Sequence, residues 1–323
     1  MRLKKIPTTV ITGFLGAGKT TLVNHILDST RPMQIGIVVN EFGEVGIDGQ
    51  LIVADEEAVI EINNGCVCCT VRSDLVASVT QLLDRFGERL ERLIVETSGL
   101  ADPAPVLQTF LADPDLRERV ELESVVAVID ALHADAQLEG SDIAREQIVF
   151  ADRIIVNKTD VAGPAQLTAL AAKLRALNPT ASIDFANRSS IPVTELLGVR
   201  SFSLDNLLTL EPDLLDEAAH DHEHDTSIAS CAFVVPGSLD AARFNQWINR
   251  LVQSHGQSLL RMKGVLNLHA EARRLHFHSV HMLLDARFGN AWSPAEARDS
   301  KLVMIGRNLD VTQMRDGLFA CMH

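Results

Sequence analysis

Two periodicities alternate along the first two thirds of the chain. Short apolar or β-branched runs near residues 8–12, 34–40, 92–97, 124–130 and 153–157 read as buried strands, and the stretches between them carry helical spacing. This rhythm predicts a three-layer α/β domain around a mostly parallel sheet, with ligands bound at the C-terminal ends of the strands. From about residue 227 the signals resume. "SIASCAFVV", "GVLNLH", "RRLHFHSVHMLL" and "KLVMIGRNL" are strand-like, and "ARFNQWINRLVQS" is helical. They predict a second, smaller α/β (α+β) domain. Between the two, Glu211–Asp225 holds seven acids, three histidines and no lysine or arginine, the composition of a linker. The expected division is 1–205, 206–226 and 227–323. No internal repeat is evident.

The first strand, "TTVIT" at Thr8–Thr12, runs directly into "GFLGAGKT" at Gly13–Thr20, and "TLVNHIL" follows with helical spacing. Strand, glycine loop and helix in that order match a P-loop. Gly13, Gly16 and Gly18 let backbone N–H groups point inward at phosphates, joined by the positive end of the helix. Ala17 and Thr21 belong to the same cradle. Lys19 is expected to reach the β- and γ-phosphates, and Thr20 to ligate Mg²⁺. The basic N-terminus followed by an apolar run superficially resembles a leader peptide, but the P-loop accounts for the same residues.

"RLIVETSG" (Arg92–Gly99) suits a Walker-B strand, with Glu96 near Mg²⁺ and Gly99 close to the γ-phosphate. "RIIVNKTD" (Arg153–Asp160) ends a strand in Asn157-Lys158-Thr159-Asp160. The pattern N-K-x-D at that place fits guanine. The Asp160 carboxylate can accept from both N1–H and the 2-amino group, a donor pair adenine lacks. Asn157 and Lys158 are expected to brace the base and the loop. GTP is therefore expected over ATP.

The composition adds limits. The hydrophobic fraction is 46%, the charged fraction 22% and the formal net charge −14 over 323 residues. So acidic a chain argues against general binding to nucleic acid or anionic membranes, and suits metal cations or basic partners. No apolar run approaches the roughly 18 residues of a membrane helix. Five cysteines, three of them clustered, are unlike a secreted disulfide framework, so a cytoplasmic setting is expected.

The cluster is Cys66, Cys68 and Cys69, between the P-loop and the Walker-B strand, where P-loop GTPases place segments that respond to the γ-phosphate. Three readings stand. Three thiolates and a carboxylate can complete a tetrahedron around Zn²⁺. A Cys66–Cys69 dithiol could act in redox chemistry, although the surrounding pattern is not thioredoxin-like. Or the cysteines are small buried apolar residues. Glu41 and Glu44, in "VVNEFGEVGID", form a nearby acidic patch.

"GFLGAGKTTL", "NEFGEVGID", "NNGCVCC", "ETSGLADPAPV" and "ADRIIVNKTDVAG", with "LLRMKGVLNL" and "LVMIGRNLD" near the C-terminus, closely resemble the CobW/YjiA-like GTPases, relatives of HypB and UreG. The resemblance covers essentially the whole chain. It implies a zinc- or cobalt-handling GTPase acting as a metallochaperone, with Zn²⁺ favoured and Co²⁺ or Ni²⁺ as alternatives. It also implies an apo-metalloprotein client and metal- or nucleotide-dependent homo-oligomers. By position it makes Cys66, Cys68 and Cys69 the metal ligands, with Glu41 or Glu44 adding a carboxylate. Some close relatives carry an acid where this chain has Val39.

His220, His222 and His224 share a face if their segment is extended, and are read as weak metal ligands or as part of a solvated linker. His276 and His278, with His281 close by, are read first as a sheet surface and second as a metal or client site. Cys231 and Cys321 receive no role. For hydrolysis, Lys19 with Mg²⁺ stabilises phosphate charge, and Glu41 and Glu96 are candidates to orient the attacking water. No arginine finger is identifiable, so slow intrinsic turnover is expected. The rival readings are a GTP-dependent metal sensor and a cobalt-handling protein of cobalamin synthesis.

Overall fold

The computed structural model describes residues 5–42, 59–64, 70–198, 228–294 and 296–323. They form two compact units. The first is built on seven strands: β1 (Ile6–Thr12), β2 (Ile35–Phe42), β3 (Val59–Asn64), β4 (Arg92–Thr97), β5 (Val120–Asp130), β6 (Arg153–Asn157) and β7 (Ser182–Phe185). Their spatial order is β3-β2-β4-β1-β5-β6-β7, and every neighbouring pair is parallel. The expected five strands are all present. β3 and β7, at the two edges, were not anticipated. β2 also runs further than expected and takes in Glu41, which pairs with Asn63.

The intervening helices are α1 (Lys19–Thr30), α2 (Thr70–Phe86), α3 (Ala104–Ala112), α4 (Pro114–Arg119), α5 (Ala134–Gly140), α6 (Asp142–Val149), α7 (Pro164–Leu177) and the single turn α8 (Val193–Leu196). A parallel sheet must be covered on both faces, which explains why β5 reads as the unbroken run Val125–Ile129, all buried. Leu22, Val23 and Ile26 of α1 pack on Ile11, Ile37, Ile94, Val126 and Val128. Each such fully buried side chain contributes about 1.5–3 kcal/mol. This packing sets α1 firmly against the strand ends, and with it the loop that leads into it.

The second unit is a five-stranded antiparallel sheet: β8 (Ile228–Val235), β9 (Leu259–Leu266), β10 (Arg273–Val280), β11 (Leu283–Ala291) and β12 (Ser300–Arg307), in the order β11-β10-β9-β12-β8. It carries two helices, α9 (Ala241–His255) and α10 (Val311–Phe319). Phe244, Trp247, Ile248 and Leu251 of α9, with Met314 and Leu318 of α10, bury Phe233, Val235, Met262, Leu266, Phe277, Leu302 and Met304. Strand alternation puts His276 and His278 on the face opposite Phe277, where His278 Nε2 lies 3.6 Å from Asp285 Oδ2. Cys231 and Cys321 are buried free thiols, and burial pushes the Cys231 pKa up to about 12.

Candidate nucleotide and metal site

β1 hands over to α1 through a loop that only glycine can form at its two ends. Gly13 has φ +138°, and a Cβ there would sit 2.0 Å from Val128 O. Gly18 has φ +110°, and its Cβ would sit 2.4 Å from Asn157 Nδ2. Gly16, at φ +73°, has open space around it. The buried Ala17 turns its N–H back to Phe14 O at 3.2 Å. Lys19 is buried at the helix start and donates to Phe14 O at 3.3 Å, which keeps its ammonium at the loop. Thr21 is exposed on the first turn of α1.

β4, adjacent to β1, brings Glu96 to the same edge. Its carboxylate is buried, and Thr20 Oγ1 donates to Glu96 Oε1 at 3.0 Å. One residue on, Thr97 Oγ1 donates to Thr12 Oγ1 at 3.0 Å and ties the two strand ends together. Gly99 passes so close to the loop that a Cβ would meet Leu15 N at 2.6 Å. Gln147 holds that approach by donating to Gly99 O and Ala101 O. The cradle fits a polyphosphate by its chemistry: glycines with positive φ, open space around Gly16 and a lysine ammonium held at the loop. Thr20 and Glu96 are hard oxygen donors of the kind Mg²⁺ takes.

The N-K-x-D residues come from the end of β6, two strands from β1. Asn157 Nδ2 donates to Ala17 O at 2.9 Å, while its Oδ1 accepts from Ser189 N at 2.8 Å. Ser189 Oγ in turn donates to Gly18 O at 3.0 Å. Asn157 thus ties the end of β6 to the loop. Asp160 is exposed, and its N–H donates to Asn187 Oδ1 at 2.9 Å, which fixes the backbone that presents its carboxylate. Lys158 sends its ammonium instead to Asp130 Oδ2 at 2.8 Å. Burial alone would raise the Asp130 pKa. The hydrogen bonds from Lys158, His133 and the Leu132 N–H outweigh that and hold it below the usual carboxylate value.

Asp130, Asn187 and Ser189 were not singled out from the sequence. Asp130 lay inside an apolar strand run, and "FANRSS" after β7 has no periodicity. Their roles arise only where β5 and the loop after β7 meet β6.

The thiol segment follows β3. Cys66, Cys68 and Cys69 lie outside the described residues, as do Glu44, His220, His222 and His224. Their flanks are described: β3 ends at Asn64, opposite Phe42 of β2, and α2 opens at Thr70. Because all strands are parallel, the connections after β1, β2, β3 and β4 leave one edge of the sheet. Three strand spacings separate β3 from β1, about 14 Å. Among the described residues, no group of three or more His, Cys, Asp or Glu is arranged to hold a metal ion.

Residues 7–184 match the family model described as the CobW/HypB/UreG nucleotide-binding domain. The chain belongs to the CobW/HypB/UreG family. Residues 228–322 match a second model, the cobalamin synthesis protein cobW C-terminal domain. The chain is 35% identical over 317 residues to the zinc chaperone YjiA of Escherichia coli K12, covering 97% of this chain and 98% of that protein. It is 31% identical over 351 residues to the zinc chaperone CobW of a Sinorhizobium species, covering 98% and 97%. The crystal structure of the Zn(II)-bound YjiA GTPase from E. coli superposes with a TM-score of 0.77 at 30% identity, covering 99% of this chain and all of that one. The family thus spans both units, the parallel GTPase-type sheet and the antiparallel C-terminal one. Among the described residues, no helix is long and apolar enough to cross a membrane.

Proposed function

We propose that this protein is a GTP-hydrolysing metallochaperone that binds Zn²⁺ at Cys66, Cys68 and Cys69 and couples hydrolysis to metal transfer to an apo-metalloprotein client. The relatives named zinc chaperones, and the Zn(II)-bound GTPase whose fold this chain shares over nearly its whole length, support the metal and the activity. The observation that carries the coupling is topological. β1 and β3 are parallel members of one sheet, so the glycine loop and the connection that begins after Asn64 leave the same edge. A change at the phosphates and a change at the thiols then bear on one edge of the same sheet, three strand spacings apart.

The division of labour follows from the side chains. Gly13, Gly16, Ala17, Gly18, Lys19, Thr20 and Thr21 receive the phosphates, with Gly99 close to the terminal one. Asp160 reads guanine, and Asn157 and Lys158 support it. Thr20 and Glu96 would hold Mg²⁺, which when bound neutralises phosphate charge. Lys19 adds positive charge to the same oxygens as they gain negative charge. Glu96 and Glu41 are the candidates for ordering the attacking water. Three thiolates with a carboxylate from Glu41 or Glu44 make a tetrahedral zinc set, which needs the reduced thiols of a cytoplasmic compartment. His220, His222 and His224, in a linker at 206–226 between domains at 1–205 and 227–323, would hold metal weakly. Coupling is reciprocal, so GTP shifts zinc affinity by the same factor that zinc shifts GTP affinity.

A competitive Zn²⁺ titration of reduced protein, with and without Mg²⁺ and a non-hydrolysable GTP analogue, tests this. A tight site that Cys68→Ser abolishes, and that shifts several-fold with nucleotide, is expected. Tight binding indifferent to nucleotide would leave a GTPase carrying a structural zinc and remove the delivery mechanism.

A further inference from the structure

Lys158 sits in the left-handed region, at φ +61°. For a residue with a Cβ this region is sterically disfavoured, so something must hold it there. The neighbouring backbone supplies part of the restraint: Thr159 N–H donates to Ala186 O at 3.3 Å, and Asp160 N–H to Asn187 Oδ1 at 2.9 Å. The side chain is held by Asp130, on the adjacent strand and outside the N-K-x-D motif. Asp130 is opposite Asn157 in the β5–β6 register, and Ala131 N–H donates to Asn157 O at 2.9 Å.

The Asp130 side chain is only 5% exposed, against 41% for Lys158. Three donors lock the carboxylate: Leu132 N–H at 2.9 Å, His133 Nδ1 at 3.0 Å and Lys158 Nζ at 2.8 Å. Leu132 and His133 fix the carboxylate independently of the lysine, so the lysine must follow it. The half-exposed Lys158 side chain is then held by its ammonium, leaving its apolar stem two residues from Asp160. That is a surface on which a purine face can rest while Asp160 takes the base edge.

We infer that Asp130 is a positioning residue for guanine recognition, pinning Lys158 so that its stem forms a preformed wall of the base site. The inference rests on the reading of Asn157–Asp160 as the guanine site. Preorganisation of this kind acts on affinity, because the free protein no longer pays rotamer entropy when the nucleotide arrives. The Asp130 carboxylate bonds Leu132, His133 and Lys158 and not Lys19, Thr20 or Glu96, so the chemical step should be untouched.

The test is a double-mutant cycle on the full chain with Asp130→Asn, Lys158→Met and both together, read as fluorescent GDP affinity and as KM and kcat for GTP. Each single change should weaken GDP and raise KM about tenfold with kcat unchanged, a loss of about 1.4 kcal/mol. The double variant should lose no more than either single one. Additive losses, or a fall in kcat that tracks a fall in Tm, would overturn the inference, since either marks Asp130 as merely structural. Lys158→Met alters a half-exposed side chain and keeps the test sound if Asp130→Asn unfolds; wild-type affinity in Lys158→Met also overturns it. Wild-type protein that binds no guanine nucleotide sinks the underlying guanine reading, whereas tight wild-type binding with unchanged variants sinks the Asp130 role alone.

Discussion

Thr20 Oγ1 donates to Glu96 Oε1 across 3.0 Å, linking the first turn of α1 to the end of β4. The pair brings two oxygen donors together at the phosphate cradle, one neutral and one anionic. Thr20→Ala and Glu96→Gln should each lower kcat for GTP about 10²-fold, while GDP binding falls much less. Phosphate release and equilibrium binding on the same samples check this. Equal losses in both would show that the pair serves the fold of the loop and not the reaction.

The glycines of the loop should differ in what they tolerate. Gly18→Ala drives a Cβ to within 2.4 Å of Asn157 Nδ2, the donor that braces Ala17 O, and adds strain at φ +110°. A cost of about 3 kcal/mol or more is expected, with loss of nucleotide binding. Gly16→Ala meets no atom and suffers only its positive φ, a cost of about 1–2 kcal/mol. Thermal denaturation of the two variants ranks them; a milder Gly18→Ala would mean that the loop and Asn157 are not coupled.

Asp160 presents an exposed carboxylate from a backbone fixed by Asn187. Asp160→Asn replaces two acceptors with one acceptor and one donor. Guanine should lose about 10²-fold in affinity, since hydrogen bonds to a charged group contribute about 1.5–3 kcal/mol each. Xanthine, which carries a carbonyl in place of the 2-amino group, should gain. Competition between GDP and XDP reads both directions, and unchanged GDP binding would place the base elsewhere.

The thiols divide into two classes. Burial pushes Cys231 up to about 12 and raises Cys321 as well, so neither offers thiolate at neutral pH. A thiol reagent at pH 8 should leave both unmodified in the native protein. Stoichiometric Zn²⁺ should then suppress labelling at Cys66, Cys68 and Cys69, and unfolding should release all five. Mass mapping that finds Cys231 labelled as fast as Cys68 would contradict the burial argument.

Much of this was legible in the chain itself. The glycine loop, the Walker-B strand and N-K-x-D are local patterns. They constrain backbone conformation and hydrogen-bonding chemistry within a few residues, and local residue order alone reveals them. The continuous apolar run of β5 likewise announces a strand buried on both faces. The edges were different. β3, "VIEINN", and β7, "SIDF", are short and mix polar with apolar residues, so their own propensity is weak. They become strands because β2 and β6 offer unpaired edges for them to extend.

The sequence alone thus singled out the candidate site residues: Gly13, Lys19, Thr20, Glu96, Asn157 and Asp160 all lie in motifs whose spacing suggests their chemistry. The tertiary structure decided what holds them. Ser189 bonds Gly18 from 171 positions away, Asn187 fixes Asp160, and Asp130 pins Lys158 from the next strand. No local pattern marks such residues. A hydrogen-bond partner chosen across a sheet depends on strand order and register, which only the packed fold sets.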